Sequence, residues 1–479
     1  MLKKLLAILY FVPLVEYLHA QDANYWSADF GVAGYFTPGS VVAYNGDSGV
    51  LFYNPALLAY SKKNATSISA TVYNHNSIKI SDAVGEGLHL KSKKVSIIPQ
   101  MVSSTLSYKG ITVGYALTHT PLMNFKGTLE KDGELNVLND SYSAGNENFL
   151  GQYSLRNSTT ETGALLSVGF KLSSKIAFGL TGEANIRNMQ FNQNYHIRAI
   201  YNIPNDFGLP PFANVEEDYT VEYYHVGLRF KAGLAYEPGK GHHLGLMIST
   251  PLIRLAGRGT IIADNVATNV LMAPPPTDTI NFLAHTYQKK LKAKFKAPVS
   301  IAAGYTYDFS KKTQIAFSAE YFASIKEYNI ITPRNEIFIR SDAFDEVLTP
   351  ALIKLKEARK AVINVGIGFS HQLNKDVKGF VSLRTDPSFY DKDIYKDEDG
   401  YTGNTSSWDQ YHAQIGANLK KRKFNLRVGM LLTYGSTKKH QQFLDFETAS
   451  DENLLIGEPG LVKARHFAAG IIFSYVRNL

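Results

Sequence analysis

Along most of the chain, apolar and polar residues alternate with a period of two in short runs, as in strands whose two faces meet different surroundings. About 14 such runs are predicted, near 66–74, 94–108, 110–119, 161–171, 175–188, 225–236, 242–249, 299–307, 313–322, 361–371, 377–385, 410–419, 423–434 and 464–476. The sixth is clearest: Val226, Leu228, Phe230, Ala232, Leu234 and Tyr236 share one face, and Gly227, Arg229, Lys231, Gly233 and Ala235 the other. A cation facing lipid costs roughly 2–4 kcal/mol at the midplane, so the face with Arg229 and Lys231 is predicted to line a lumen. The same split opposes Ile176, Phe178 and Leu180 to Glu183 and Arg187, and Phe317 and Tyr321 to Ser318 and Glu320. Near the end, Phe467, Ile471, Phe473 and Tyr475 oppose Ala468, Gly470 and Ser474; such small inner residues leave room for a plug or a ligand.

The connections alternate as well. Short ones fall at Lys109-Gly110, Ser173-Ser174, 237–241, 310–312, 374–376 and 420–422, and long ones at 75–93, 120–160, 189–224, 250–298, 323–360, 386–409 and 435–463. Tight turns on one side and long loops on the other are the rule for bacterial barrels, with both chain ends on the short-turn, periplasmic side. In lipid only helices and closed barrels satisfy every backbone hydrogen bond. The predicted fold is therefore all-β, a transmembrane antiparallel β-barrel of about 14 strands over 65–479. One loop is predicted to be helical, with Thr349 as cap, Pro350 in the first turn, and Leu352, Leu355 and Ala358 at helical spacing.

Residues 1–20 read as a cleaved signal peptide: Lys3 and Lys4, an apolar Leu5 to Leu14, and Ala20 before the cut at Gln21. That apolar run is too short to span a bilayer, and no later one reaches the roughly 18 residues a helix needs. Aromatics make up 12% of the 479 residues, with 29 Tyr against 2 Trp; this suits interfacial girdles but also a Tyr-rich soluble sandwich, so the alternation decides. The net charge of +8 is spread along the chain without the basic block of a nucleic-acid arm, so no nucleic-acid partner is expected. The cations either sit on solvated loops or attract anionic lipopolysaccharide. With no cysteine, disulfides and thiolate metal sites are excluded.

Residues 21–64 lack alternation yet carry Tyr25, Trp26, Phe30, Tyr35, Phe36, Tyr44, Phe52 and Tyr53, all needing burial. A lumen ringed by about 14 strands is too wide for its own side chains to fill, so this segment is predicted to fold inside as a hatch. Asn54 is expected to cap a turn whose φ is fixed by Pro55, with Ala56 following. The string Gly46-Asp47-Ser48-Gly49-Val50-Leu51-Phe52-Tyr53-Asn54-Pro55-Ala56 resembles the N-terminal plug motif of the FadL/TodX family of outer-membrane long-chain fatty acid and hydrocarbon transporters. There an Asp, a small residue and an aromatic lead into Asn-Pro-Ala. Ala297-Pro298-Val299-Ser300 with Gly304 and Tyr305 also resembles a strand start of that family. The likeness in layout covers essentially the whole mature chain. It departs in the long loops and at Leu479, which is not aromatic; Tyr475 would take the terminal aromatic's part in recognition by the barrel-assembly machinery.

The resemblance implies a monomer in the cell outer membrane, in contact with its lipid and lipopolysaccharide, that takes up hydrophobic small molecules through an apolar lumen gated by the hatch. Exit would often be sideways into the bilayer. It implies no cofactor and no enzyme activity. Phe52 and Tyr53 either border the ligand pocket or pack the plug without touching ligand. Pro99 cannot donate to the ladder and marks either a kink or wall gap, or a simple edge irregularity. A rival role is that of a PorV-like barrel, docking cargo or a translocon in protein secretion without small-molecule transport. A general diffusion porin would not carry an apolar hatch. Ser436-Thr437-Lys438-Lys439 matches Ser-x-x-Lys away from the helix start that chemistry requires. His242-His243 lack metal spacing. Asp391, Asp393, Asp397, Asp399 and Gly400 miss the spacing of a Ca²⁺ loop and read as solvated charge.

Overall fold

The computed structural model describes residues 23–26, 40–43, 49–61, 64–202, 212–271, 279–341, 347–395, 399–403 and 406–478. The predicted signal peptide lies outside the described residues, as do Phe30, Tyr35, Phe36, Tyr44 and the Gly46-Asp47-Ser48 start of the plug string.

The barrel strands are β1 (Ala65–Ile80), β2 (Leu90–Tyr108), β3 (Ile111–Leu135), β4 (Glu147–Lys171), β5 (Ile176–Ile200), β6 (Phe212–Gly239) and β7 (His242–Ser249). They continue as β8 (Ser300–Asp308), β9 (Thr313–Phe322), β10 (Val362–Gln372), β11 (Val377–Asp386), β12 (Gln410–Lys420), β13 (Phe424–Gln441) and β14 (Leu461–Asn478). Each pairs antiparallel with its neighbours in this order, and β14 returns to β1 from Ala65↔Asn478 to Ile80↔Ala464, so the cylinder is closed. Among the described residues no helix is long and apolar enough to cross a membrane; the crossing elements are strands.

Tight turns gather at one end together with both ends of the barrel, as the alternation of connections predicts. At the β2–β3 turn Lys109 and Gly110 both take positive φ (48° and 85°), which a two-residue type I′ hairpin demands and a glycine accepts without strain. Around the barrel, Leu180, Phe230, Leu234, Ile248, Phe317 and Ile367 are exposed and point outward as an apolar belt. An outward belt on a closed cylinder is a lipid-facing surface.

The predicted strand number matches, but several of the long connections are strand extensions rather than loops. A crossing strand needs about 9–11 residues, whereas β3, β4 and β5 each run 25 residues and β6 runs 28. The reason lies in the pattern itself. Within the belt of β5 the apolar residues are even-numbered and outward (Phe178, Leu180, Ile186), while Glu183 and Arg187 point in. Beyond it the odd positions Met189, Phe191, Tyr195 and Ile197 become the buried apolar set. The alternation reverses phase where the strand leaves lipid for water, because the outside turns polar and the inside turns into a packed core. That upper core contains Tyr153, Phe191, Tyr219, Tyr401, Trp408 and Phe446. A further hairpin, Ile253–Leu271 with Thr279–Lys292, extends it alongside β6.

The predicted loop helix is a correction. Only Thr349–Leu352 is helical, with Leu348 rather than Thr349 at the N-cap, and the Thr349 hydroxyl hydrogen-bonds Arg334 O instead. Leu355–Arg359 is a strand, buried at all five positions, that pairs with Ile325–Ile331 and Tyr401–Thr402. Burial on both faces overrides the helical spacing. Ser436 and Lys439 likewise fall within strand β13, not in a loop.

Candidate functional site

Two stretches of the amino-terminal segment are anchored on the inward face of the barrel wall. The first is the Asn-Pro-Ala turn. Asn54 is fully buried; its Oδ1 accepts from Ala56 N (3.1 Å), and its Nδ2 donates to Val42 O (2.6 Å) and to Leu234 O of β6 (3.2 Å). Pro55 opens the 3₁₀ turn Pro55–Tyr60, where its missing N–H has no helical acceptor to satisfy. Just before it, Leu51 O accepts from the hydroxyls of Ser167 (3.3 Å) and Thr181 (3.1 Å). A Cβ at Gly233 would run into Asn54 Oδ1, so the small inner-face residues do make room for this segment.

The second anchor was not legible beforehand. Asp386, at the end of β11, accepts from the backbone N–H of Tyr25 and of Trp26, both at 3.0 Å. Trp26 Nε1 donates to Glu320 (2.8 Å), and the Tyr25 ring stacks on Phe322 with centroids 4.0 Å apart.

Between the anchors lies a cavity of about 170 Å³ bordered by Trp26, Phe52, Tyr53, Met247, Phe295, Phe322 and Phe389. Phe52 and Tyr53 are thus at its edge. An apolar lumen was the expectation; the observed lining is amphipathic, because Glu161, Glu183, Arg187, Arg229, Lys231 and Arg359 share it. Several of these charges are paired: Glu183 holds Arg229 (2.8 Å) and Lys231 (3.1 Å), Arg187 holds Glu161 (2.6 Å), and Arg359 holds Glu357 (2.7 Å), which stands outside the lining. Two guanidiniums also lie over rings, Arg187 at 4.1 Å from the Phe295 centroid and Arg359 at 4.3 Å from that of Phe389. Such a wall, which Glu320 and Arg384 also line, offers ring faces and cations, several of them paired with carboxylates, to an apolar or aromatic guest.

Near Pro99 the pairing of β2 with β3 stops. β2 pairs with β1 along its whole length apart from bulges, but with β3 only from Met101↔Thr118 down to Tyr108↔Ile111. Contact resumes higher up, where Lys126 N donates to Ser92 Oγ (3.1 Å). A window therefore separates residues 93–100 from 119–125. Pro99 stands on one edge and Pro121 on the other; neither has an N–H, so the ladder cannot zip past them. Sequence reading flagged Pro99 and missed Pro121, although the same rule applies to it. Leu122, beside Pro121, sits at a register shift of β3 against β4. A second cavity, of about 380 Å³, opens at this window between Ile97, Pro99, Pro121 and Met123. Leu122 borders both cavities, which places lumen and window on either side of one side chain.

No family model and no curated protein sequence matches the chain. Solved structures do. The toluene transporter TodX of Pseudomonas putida is 13% identical with a TM-score of 0.56, over 96% of this chain and 100% of that one. A FadL homologue of Pseudomonas aeruginosa is 12% identical with a TM-score of 0.58, over 95% and 100%. The toluene transporter TbuX of Ralstonia pickettii is 10% identical with a TM-score of 0.53, over 94% and 98%. The chain has the fold of the FadL and TodX channels.

Against that FadL-type barrel, the other sequence candidates are structural. His242 hydrogen-bonds Tyr305 Oη (2.8 Å) and His243 meets Asp308 (3.2 Å), both near the short-turn end. Asp391 caps the short turn Lys392–Ile394, while Asp397 lies outside the described residues. Among the described residues no group of three or more His, Asp and Glu is arranged to hold a metal ion. In the upper core, beyond the lipid belt, Glu217 is buried and accepts from Tyr195 Oη (3.2 Å) and Tyr401 Oη (3.0 Å). Burial, only partly offset by these hydrogen bonds, pushes its carboxyl up to about 7.

Proposed function

We propose that this protein is an outer-membrane channel for the uptake of small hydrophobic molecules, with 21–64 as its hatch, 65–479 as the barrel and 1–20 as a removed export signal. The observation that carries the reading is the pair of cavities meeting at Leu122, one edged by Phe52 and Tyr53 and the other opening through the wall at Pro99. A guest entering from the outer side would rest against the aromatic and guanidinium lining, pass Leu122 once the hatch shifts, and leave sideways into the acyl chains. The sideways step is favourable because each methylene moved from water into hydrocarbon gains about 0.8 kcal/mol. The printed names of the similar structures, toluene transporters and a FadL homologue, support a guest of this class, either an aromatic hydrocarbon or a fatty acid. No catalytic constellation is invoked, and the barrel works as a monomer in this reading.

The deciding experiment is uptake. The full chain, produced in an outer membrane lacking its own fatty-acid channel, is expected to speed entry of radiolabelled oleate or toluene over cells carrying an empty vector. Co-purification with secretion components and no acceleration for either guest would overturn the channel reading in favour of a docking barrel.

A further inference from the structure

The hairpin Ile253–Leu271 with Thr279–Lys292, and the stretch leading from it to β8, carries six outward cations: Arg258, Lys289, Lys290, Lys292, Lys294 and Lys296. All six side chains are exposed. Arg258 and Lys292 are direct cross-strand partners, so their charges adjoin on one face. The other side of the strand, with Leu291, Ala293 and Phe295, is buried. Carboxylates on neighbouring elements are engaged elsewhere: Asp264 faces His285, Glu336 faces Arg334, and Glu222 accepts from Gln190. Among the described residues none forms an ion pair with the six. Lys289 and Lys296 instead lie over the rings of Tyr287 (4.5 Å) and Tyr328 (4.4 Å). A shallow surface groove of about 590 Å³ runs between Arg258, Lys289 and Lys290, with Glu222 as its carboxylate.

Position gives this stripe its meaning. It begins where the apolar belt ends: Leu255 and Ile253 are exposed just before Arg258, and Val299 and Ile301 just after Lys296. From Lys296 to Lys289 the strand climbs roughly 20 Å at about 3.3 Å per residue. Hydrocarbon below and a ladder of uncompensated cations above match an amphiphile with acyl chains and several anionic groups on a bulky head. Clustered cations within a Debye length, about 8 Å at physiological salt, act on such a head together. We propose that the outer face of this hairpin docks the phosphorylated saccharolipid of the outer leaflet, lipopolysaccharide, through its lipid A and inner-core phosphates. The proposal rests on the barrel lying in such a leaflet and is independent of what the channel carries.

The test is native mass spectrometry of the full-length protein in detergent, titrated with bisphosphorylated lipid A and with the same lipid after enzymatic dephosphorylation. Lipid A is expected to bind at least tenfold more tightly than its dephosphorylated form. The R258Q/K292Q/K294Q/K296Q variant should lose at least tenfold for lipid A alone. A variant with as many cations removed from the short-turn end, K109Q/K240Q/K311Q/K375Q, should stay within twofold. Equal binding of the two lipids by the unmutated protein would overturn the proposal whether or not the variant folds. So would displacement of lipid A by inorganic phosphate beyond that by chloride at equal ionic strength, which would mark a site for the free anion.

Discussion

The ammonium of Lys231 lies 3.4 Å from the centroid of the Phe52 ring and donates to the carbonyl of the same residue at 3.0 Å. It is held there by Glu183, which also grips Arg229. One wall cation thereby fixes both the backbone and the ring of the residue at the cavity's edge. Lys231→Met should free Phe52 at a cost of about 1–2 kcal/mol, since Glu183 keeps its contact with Arg229. Glu183→Gln should cost more, about 3–5 kcal/mol, because it leaves the buried Lys231 beside the half-buried Arg229 without their shared carboxylate. Heat-dependent gel mobility of the folded barrels ranks the two; the reverse order would show that Lys231 is not the latch.

The Asn54 amide bonds three partners, two in the amino-terminal segment and one on β6, and none of them can be replaced by water in a fully buried site. Asn54→Ala should therefore loosen the turn by roughly 2–3 kcal/mol. Because the chain has no cysteine, a single Leu57→Cys reports the opening without background. Its maleimide labelling is expected to rise at least about 30-fold when Asn54→Ala is added, following the conversion of 1.4 kcal/mol to a factor of ten. Unchanged labelling would mean the turn is held by packing alone.

How far these sites were legible follows from which physics the pattern encodes. The belt of β6 could be read because lipid admits no Arg229 or Lys231 outside, so alternation there is nearly binary. The upper half of β5 was lost because Met189 and Phe191 carry the apolar set on the opposite parity from Leu180 and Ile186, and a reader following one phase stops at the switch. Asn54-Pro55 was legible because its chemistry is local: a cap and a fixed φ. Asp386 was not, because its partners Tyr25 and Trp26 lie more than 350 residues away and nothing in its own neighbourhood announces them. The inward Glu183, Arg187, Arg229 and Lys231 were legible from the alternation, and only the resemblance implied an apolar lumen; their pairing across β4, β5 and β6 is tertiary and leaves no mark in one strand.

The window at Pro99 and Pro121 yields a prediction about the route. Ser96 and Asn124 both border the cavity behind it. A Ser96→Cys, Asn124→Cys pair bridged by a short bismaleimide should stop uptake, and cleaving a reducible version of the bridge should restore it. Either single cysteine, similarly treated, should leave uptake within twofold. Full transport with the bridge intact would exclude the window as the exit and point to passage along the barrel axis.

Glu217 makes the upper core sensitive to pH. Its carboxyl titrates at about 7 in the folded protein, above the usual range near 4.3 for an exposed glutamate. The folded core thus binds an extra proton between these values, and the stability linked to it is fully present below about pH 4 and lost as pH rises through 7. Ionised Glu217 then sits among Tyr195, Tyr219 and Tyr401 with two hydroxyl donors but no cation in reach of an ion pair among the described residues. Local opening should be easier at pH 8.5 than at pH 5, by up to about 3 kcal/mol, the limit set by a difference of two to three pH units at 1.36 kcal/mol each. Hydrogen exchange over 212–221, corrected for intrinsic rates, measures it. Glu217→Gln, which cannot ionise, should remove most of the difference by slowing exchange at pH 8.5. If the variant kept the full pH dependence, the proton would have to reside on another group.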